Sequence, residues 1–499
     1  MACVGLLAGS AVWCAVAFSQ TGLSELEAVD ANDPTTWANY ALGESRTAAQ
    51  SIPDAYFRAE ALVRIAEVNT SFGNLEAARA SLRDASNIAN DVKVSPGRDL
   101  ALRSIGLEWA RIRDMDAALE VAEAIEMDEM RDPVLVAVIN LQIGSADITA
   151  ALANARRLST SGVKEQTLRR IAQAQARLGK LSDARATVAA IKDEGIRTVA
   201  SADVAGALAD IGNSDSVAMA IDMAHDIRSK SERDSAYVYI SLVQAASGSF
   251  NGAVATLDRV KDPASRALGF ARLATLRSQA DDPVNADALL KRAIADLPRK
   301  RAAPGRSLAL CEIAVAQIST GQKPMARDTL QQALQANSQA PGPEAIARLQ
   351  ARAGDIAGAL STAMQVGEDA TRALLIHDIT TAQAEAGDVS GARTTAQSLT
   401  DARLQVPAWF GLIGVQTAAR DQAGAKDSVQ LAQQGARAID ETEYRAQALA
   451  AVAAAHVRLF DVSSGWSSFQ EAVTAARLLD KSTARAATFA NIAEPFHDL

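Results

Sequence analysis

The sequence predicts an all-α fold: an α-solenoid of about twelve antiparallel helical hairpins, a helical superhelix. Three observations predict it. A turn signal recurs every 33 to 40 residues or so, an aliphatic residue recurs at one fixed offset within each repeat, and a small residue recurs at another. Composition agrees. Alanine is abundant, aromatic residues are 4% of the chain, and there are 13 prolines in 499 residues. Helices that touch through small side chains use such a composition, whereas sheets need β-branched and aromatic runs.

The turn reads Gly73-Asn74, Gly179-Lys180, Gly212-Asn213, Gly248-Ser249, Gly321-Gln322, Gly354-Asp355 and Gly387-Asp388. Weaker forms stand at Arg113-Asp114, Ala146-Asp147, Asp281-Asp282, Arg420-Asp421 and Phe460-Asp461. Glycine followed by a capping residue ends one helix and starts the next. Fifteen positions before each turn lies a mostly basic column, including Arg58, Arg98, Arg131, Arg197, Arg233, Arg266, Arg306, Arg372 and Arg445. Seven positions after each basic residue comes Ile65, Ile105, Val138, Ile171, Val204, Ile240, Leu273, Ile313, Ile346, Ile379, Leu412 or Val452. Twenty positions after it comes a small residue, alanine in most repeats and Val217 or Gly465 in two. The first helix is expected to run about fourteen residues with its aliphatic column facing the partner helix. The second carries the small column where two backbones approach closely.

This register resembles the tetratricopeptide repeat (TPR) family. The carriers are the aliphatic column and the small residue after it (Ala66, Gly106, Ala172, Ala205), the Gly-Asn/Asp turn, the small residue five positions on, and an apolar residue four further (Leu82, Leu257, Leu290, Leu330, Phe469). The likeness covers about residues 55 to 495, in a degenerate form that mostly lacks the closing proline. It implies a superhelix whose first helices line an inner, partner-binding face.

Residues 1–18 are apolar and uncharged, and Ala17-x-Ser19 fits a cleavage pattern, although a basic start is missing. The expected organisation is a signal peptide over 1–19, an N-terminal helical cap over 20–53, the solenoid over 54–484 and a terminal capping helix over 485–499. The expected setting is the periplasm or the exterior of a bacterial cell. Cys3 and Cys14 fall in the leader, leaving Cys311, so neither an internal disulfide nor a thiolate metal cluster is expected. A formal charge of -9 argues against nucleic acid as a partner. Membrane association is expected only through a partner or an uncleaved leader.

Three groups of residues are candidates for function. Eleven positions after the basic column stands a polar one: Asn69, Gln142, Gln175, Gln244, Gln317, Gln350, Gln383, Gln416 and His456, replaced elsewhere by Trp109, Leu208 and Arg277. It reads as an interhelical ladder bonding one hairpin to the next, or else as a polar strip offered to a peptide or glycan. Family likeness places Arg64, Arg103, Arg170, Tyr239, Arg272, Glu312 and Asp378 on the inner groove, with mixed charge that suits a protein surface better than one uniform ligand. Trp37, Tyr40, Tyr56 and Phe57 form an end cap or a docking patch. The basic column is expected to pair with nearby carboxylates such as Asp262 and Asp369.

No phosphate loop, dinucleotide fingerprint, paired-histidine metal motif or nucleophile elbow occurs, so no catalytic residue, metal or cofactor is expected. The expected function is a non-enzymatic protein-interaction scaffold within a cell-envelope complex. The alternatives are a glycan- or peptide-binding module and a carbohydrate-processing enzyme with its site in the helical groove.

Overall fold

The computed structural model describes residues 29–336 and 342–497. The segment 1–19 and the first part of the 20–53 cap lie outside the described residues. Within them every regular element is helical: α-helices from Pro34–Gln50 to Ser482–Ala493, then a single turn of 3-10 helix at Glu494–Phe496. The fold is an all-α, TPR-like helical repeat.

Contacts divide the chain into two compact units, Arg113–Ser398 and a second that joins residues up to Ile112 to Leu399–Leu499. In Arg113–Ser398, eight hairpins follow one another, from Asp128–Gly144 with Ile148–Arg156 to Asp369–Glu385 with Val389–Ser398. Each first helix packs on its own second helix and on the next first helix. Apolar surface left open by one hairpin is thereby covered by its neighbour, and one core runs unbroken from Ala172 through Ile240 and Leu273 to Ala316.

Local chemistry explains the hairpin. Most first helices run 17 residues, three more than the turn-to-anchor count implies, and in several an aspartate caps the start before the basic residue. Asp193 and Asp262, for example, accept the free amides of Ile196 and Ser265 at 2.8 and 2.7 Å. At the turn the glycines adopt positive φ, between 70° and 89° from Gly73 to Gly387. The residue after the glycine then donates its amide back into the ending helix, as Ser249 does to Gln244 O at 2.7 Å. The weaker turns reach the same geometry without glycine: Arg113, Ala146, Asp281, Arg420 and Phe460 all have φ between 54° and 63°.

The aliphatic column is buried throughout, with no member more than 3% exposed. Ala78, Ala118, Ala151, Ala184, Ala253, Ala286, Ala326, Ala359, Ala392 and Ala425 of the small column have no exposed surface.

In the second unit, helices from the two ends of the sequence pack together. Helix Pro34–Gln50 packs against Ser482–Ala493, and the two form one hairpin from opposite ends of the sequence. Ser482–Ala493 is a first helix: it follows the register to the aliphatic position Ile492, fully buried, and packs on both Thr442–Arg458 and Ala55–Ser71. Pro34–Gln50 is a second helix: it buries Ala38, Ala41, Leu42, Ser45 and Ala49 with the spacing of Ala78, Ser81, Leu82, Ala85 and Ala89 in Leu75–Ala89. Each isolated helix would leave an apolar stripe in water, and pairing them removes both stripes.

Candidate interaction surface

The polar column is buried, which removes the reading of a strip offered to a ligand. The seven glutamines are between 3% and 9% exposed, and Asn69 and His456 are buried with them. The amides also do not bridge successive hairpins. Five of the glutamines, Gln142, Gln244, Gln350, Gln383 and Gln416, reach the second helix of their own hairpin, twelve positions on. Gln244 Oε1 accepts from Thr256 Oγ1 at 2.7 Å, Gln350 from Thr362 at 2.8 Å, Gln383 from Thr395 at 2.9 Å and Gln416 from Ser428 Oγ at 2.8 Å. Gln142 takes Asn154 Nδ2 at 3.2 Å. On the other side, Gln383 Nε2 donates to the turn carboxylate Asp388 at 2.8 Å. The amide therefore clasps first helix, turn and second helix together. Shielded from water, each unmade bond would cost more than each made bond gains.

Two further columns complete the clasp, and sequence reading passed over both. The first is the polar partner itself: Ser81, Asn154, Thr187, Thr256, Thr329, Thr362, Thr395, Ser428 and Ser468, all buried. Where the first helix instead has Trp109, Leu208 or Arg277, the position twelve on is Val121, Ala220 or Leu289. Polar meets polar, and Trp109 and Leu208 meet apolar residues, a signal already present in the sequence, whereas Arg277 pairs with Asp282 at 3.0 Å instead. The second is a glycine just before the small column: Gly252, Gly358, Gly391 and Gly424. A β-carbon at Gly391 or Gly424 would collide with the glutamine Nε2 and with the turn aspartate. All four hydroxyl clasps occur in hairpins with this glycine. Where Asp183 or Met325 replaces it, the Oε1 of Gln175 or Gln317 has no partner.

The basic column pairs with carboxylates in some repeats, as expected, and also with main-chain carbonyls. Nη1 of Arg233, Arg266 and Arg445 donates to the carbonyl six residues upstream, at 3.2, 3.0 and 3.0 Å. Arg372 Nε does the same to Val366 O at 3.1 Å. These carbonyls end the preceding second helix, where free acceptors and the helix dipole both favour a cation. Carboxylates appear beside them in some repeats, as in Arg372–Asp369 at 2.7 Å. A buried carboxylate next to the basic residue ties successive first helices: Asp132 accepts the Thr160 amide at 2.8 Å, and Asp234 the Asp262 amide at 2.7 Å.

The groove candidates lie on the first helices, where most of them pair sideways. In Arg113–Ser398, Arg170 Nη1 donates to Asn140 at 3.0 Å, Tyr239 OH to Asp210 at 2.8 Å, and Arg348 Nε to Asp378 at 2.6 Å. Arg272 pairs with Glu312 at 2.6 Å. Tyr239 lies flat across Gly206, where a β-carbon would meet its ring at 3.0 Å. In the other unit, Arg64 bonds Asn491 at 2.8 Å and Glu494 at 2.6 Å, and half-buried Arg103 lies within electrostatic reach of Glu60. Burial pushes the Glu60 carboxyl above its ordinary range.

Between the paired groups, Arg113–Ser398 opens one apolar trough of about 430 Å3. Its walls are Leu242 and Val243, Leu276, and Val315, from three successive first helices, with Arg272 and Glu312 at its rim.

The aromatic candidates separate. Trp37 is fully buried, with ring centroids 5.2 Å from Trp466, 5.5 Å from Phe469 and 5.7 Å from Phe496. Tyr40 meets Arg477. Both belong to the hairpin built from the two chain ends. Tyr56 and Phe57 pack edge to face at 5.1 Å, and Phe57 is 53% exposed. Cys311 is buried and free, its thiol pushed up to about 12 by burial, so it is no nucleophile. Among the described residues no cluster of metal-ligating side chains occurs, and no helix is long and apolar enough to cross a membrane.

Comparison with known proteins returns no matching family and no matching curated protein. Solved structures show a distant likeness. Ton1535 from Thermococcus onnurineus NA1 is 17% identical, over 55% of this chain and 97% of its own, with a TM-score of 0.20. The APC/C hetero-tetramer Cut9-Hcn1 is 12% identical, over 82% and 88%, with a TM-score of 0.22. A circular tandem repeat protein is 13% identical, over 89% and 85%, with a TM-score of 0.14. At these identities and TM-scores the likenesses bear on no residue, partner or reaction of this chain.

Proposed function

We propose that this protein is a protein-interaction scaffold of the bacterial cell envelope, binding a protein partner through the first-helix face of Arg113–Ser398. The observation that carries the reading is the trough of Leu242, Val243, Leu276 and Val315. Most polar groups beside it are already paired, so an incoming segment meets apolar surface without stripping hydration from unpaired charge. Three helices contribute side chains to one continuous channel, which fits an extended segment or helix of a partner with apolar side chains on one face. The apolar leader over residues 1–18 supports an envelope setting.

Affinity capture from mildly extracted envelopes of the native host, followed by mass spectrometry, tests this. Recovered envelope proteins should be lost with Leu276→Glu combined with Val243→Glu, which put charge into the trough while the buried core positions stay intact. Capture unchanged by that pair would remove the trough from the reading, and capture of no envelope protein would remove the envelope scaffold.

A further inference from the structure

One clasp is chemically unlike the others. In the hairpin of Thr442–Arg458 and Val462–Arg477 the clasp position is His456, 2% exposed. Neither ring nitrogen has a hydrogen-bond partner. Nδ1 stands 3.5 Å from Oδ2 of Asp461, the turn residue whose side chain caps Val462–Arg477 by accepting the Ser464 amide at 3.2 Å. Ser468, the hydroxyl twelve positions on, is engaged elsewhere: it donates to Ser464 O at 3.1 Å and accepts from Gln433 Nε2 at 2.8 Å. The preceding hairpin makes the ordinary clasp at the same spacing, through Gln416 and Ser428, with Asp421 capping its second helix. An amide that never ionises has thus been replaced by the one side chain whose charge ordinarily changes between pH 5 and 8.

The position of this hairpin gives the substitution a consequence. Val462–Arg477 carries Trp466 and Phe469, the rings that hold Trp37 of Pro34–Gln50. Arg477 also reaches Glu44 at 3.5 Å from the same helix.

We propose that His456 is an acid-sensitive latch: taking up a proton loosens Val462–Arg477 from Thr442–Arg458 and so releases helix Pro34–Gln50 from the C-terminal helices of its unit. The charges acting on the ring are Asp461, which attracts the proton, and Lys426 on Gln422–Arg437, which repels it. Glu494, in the 3-10 turn that also packs on Thr442–Arg458, is held by Arg64 at 2.6 Å. Burial is the largest influence and outweighs Asp461, so the ring's pKa lies below its ordinary value. A base with a depressed pKa in the closed form stabilises that form above its free pKa of about 6.5, and this contribution is lost as pH falls below it. Drawing Asp461 toward an imidazolium would also pull it from the Ser464 amide, so compensation comes at the expense of the cap.

Hydrogen exchange of the full chain at pH 7.5 and 5.5, corrected for intrinsic rates, tests the latch. Protection in Pro34–Gln50 and Val462–Arg477 should fall by up to about tenfold at the lower pH. The hairpin Asp369–Ser398, clasped by Gln383, serves as internal reference and should fall less. His456→Gln, alone and with Ser464→Gly to clear room for the amide, should abolish the difference. Equal pH response in the two hairpins, or an undiminished response in both variants, would overturn the proposal. Should the variants fail to fold, the ring can be titrated by NMR in selectively labelled native protein: a pKa at or above about 6.5 would sink the latch.

Discussion

The glutamine clasp is where single atoms decide most. Gln383 Oε1 takes the Thr395 hydroxyl while its amide nitrogen serves Asp388, so a buried pair is tied to an exposed turn carboxylate. Gln383→Ala leaves a buried hydroxyl and the turn carboxylate each one bond short, so it should cost about 1–3 kcal/mol, read as a lower urea midpoint. Gly391→Ala should cost a comparable amount although it adds only a methyl, because that methyl falls on the Gln383 amide and the Asp388 carboxylate. Simultaneous replacement should cost less than the two losses added, since both break one network. The glutamines are readable in the sequence as a column, and the paired serine, threonine and asparagine column was available at the same register. What the sequence does not state is direction. A polar column at helical spacing fits an inner wall and a buried seam equally well, and only the neighbouring helix settles that it is buried.

At the scale of the helix and its turn, the register is tied to packing and backbone geometry. Ala359 is fully buried at the point of closest approach, so Ala359→Leu must separate two helices and should cost about 1–3 kcal/mol or more. The five turns without glycine offer the opposite test. Ala146 holds φ at 61°, a left-handed conformation that costs a residue with a β-carbon about 1–2 kcal/mol. Ala146→Gly should therefore raise the midpoint of its hairpin in urea, whereas alanine-to-glycine changes inside a helix lower stability. The basic column was legible as structural, but its carbonyl partner was not. A nearby aspartate is visible in the sequence, whereas a carbonyl freed by the end of the preceding helix exists only once that helix has ended. Arg233 and Arg266 therefore bind the chain six residues behind them.

At the scale of the molecule, the joined ends set the behaviour of the unit that contains both. Trp37→Ala removes the ring shared by Trp466, Phe469 and Phe496 and should cost about 3–5 kcal/mol of local stability. Hydrogen exchange should show that loss in Pro34–Gln50 and Ser482–Ala493 together, because the two helices pack against each other as one hairpin. A cap that served only Ala55–Ser71 would leave Ser482–Ala493 protected, so the pattern distinguishes a joined hairpin from two independent caps.

By itself the sequence determined the repeat. Turn, aliphatic column and small column recur with a period that only stacked helical hairpins satisfy, since those constraints act between residues close along the chain. Tertiary structure decided the matters that depend on distant residues. It placed Ser45 Oγ 2.7 Å from Ala486 O, turned the glutamines inward, and joined the first described helix to the last. A repeat period carries no term for the contact between its two ends. Pro34–Gln50 reads as a second helix in search of a first, and nothing in its own residues says that the first lies more than four hundred positions away.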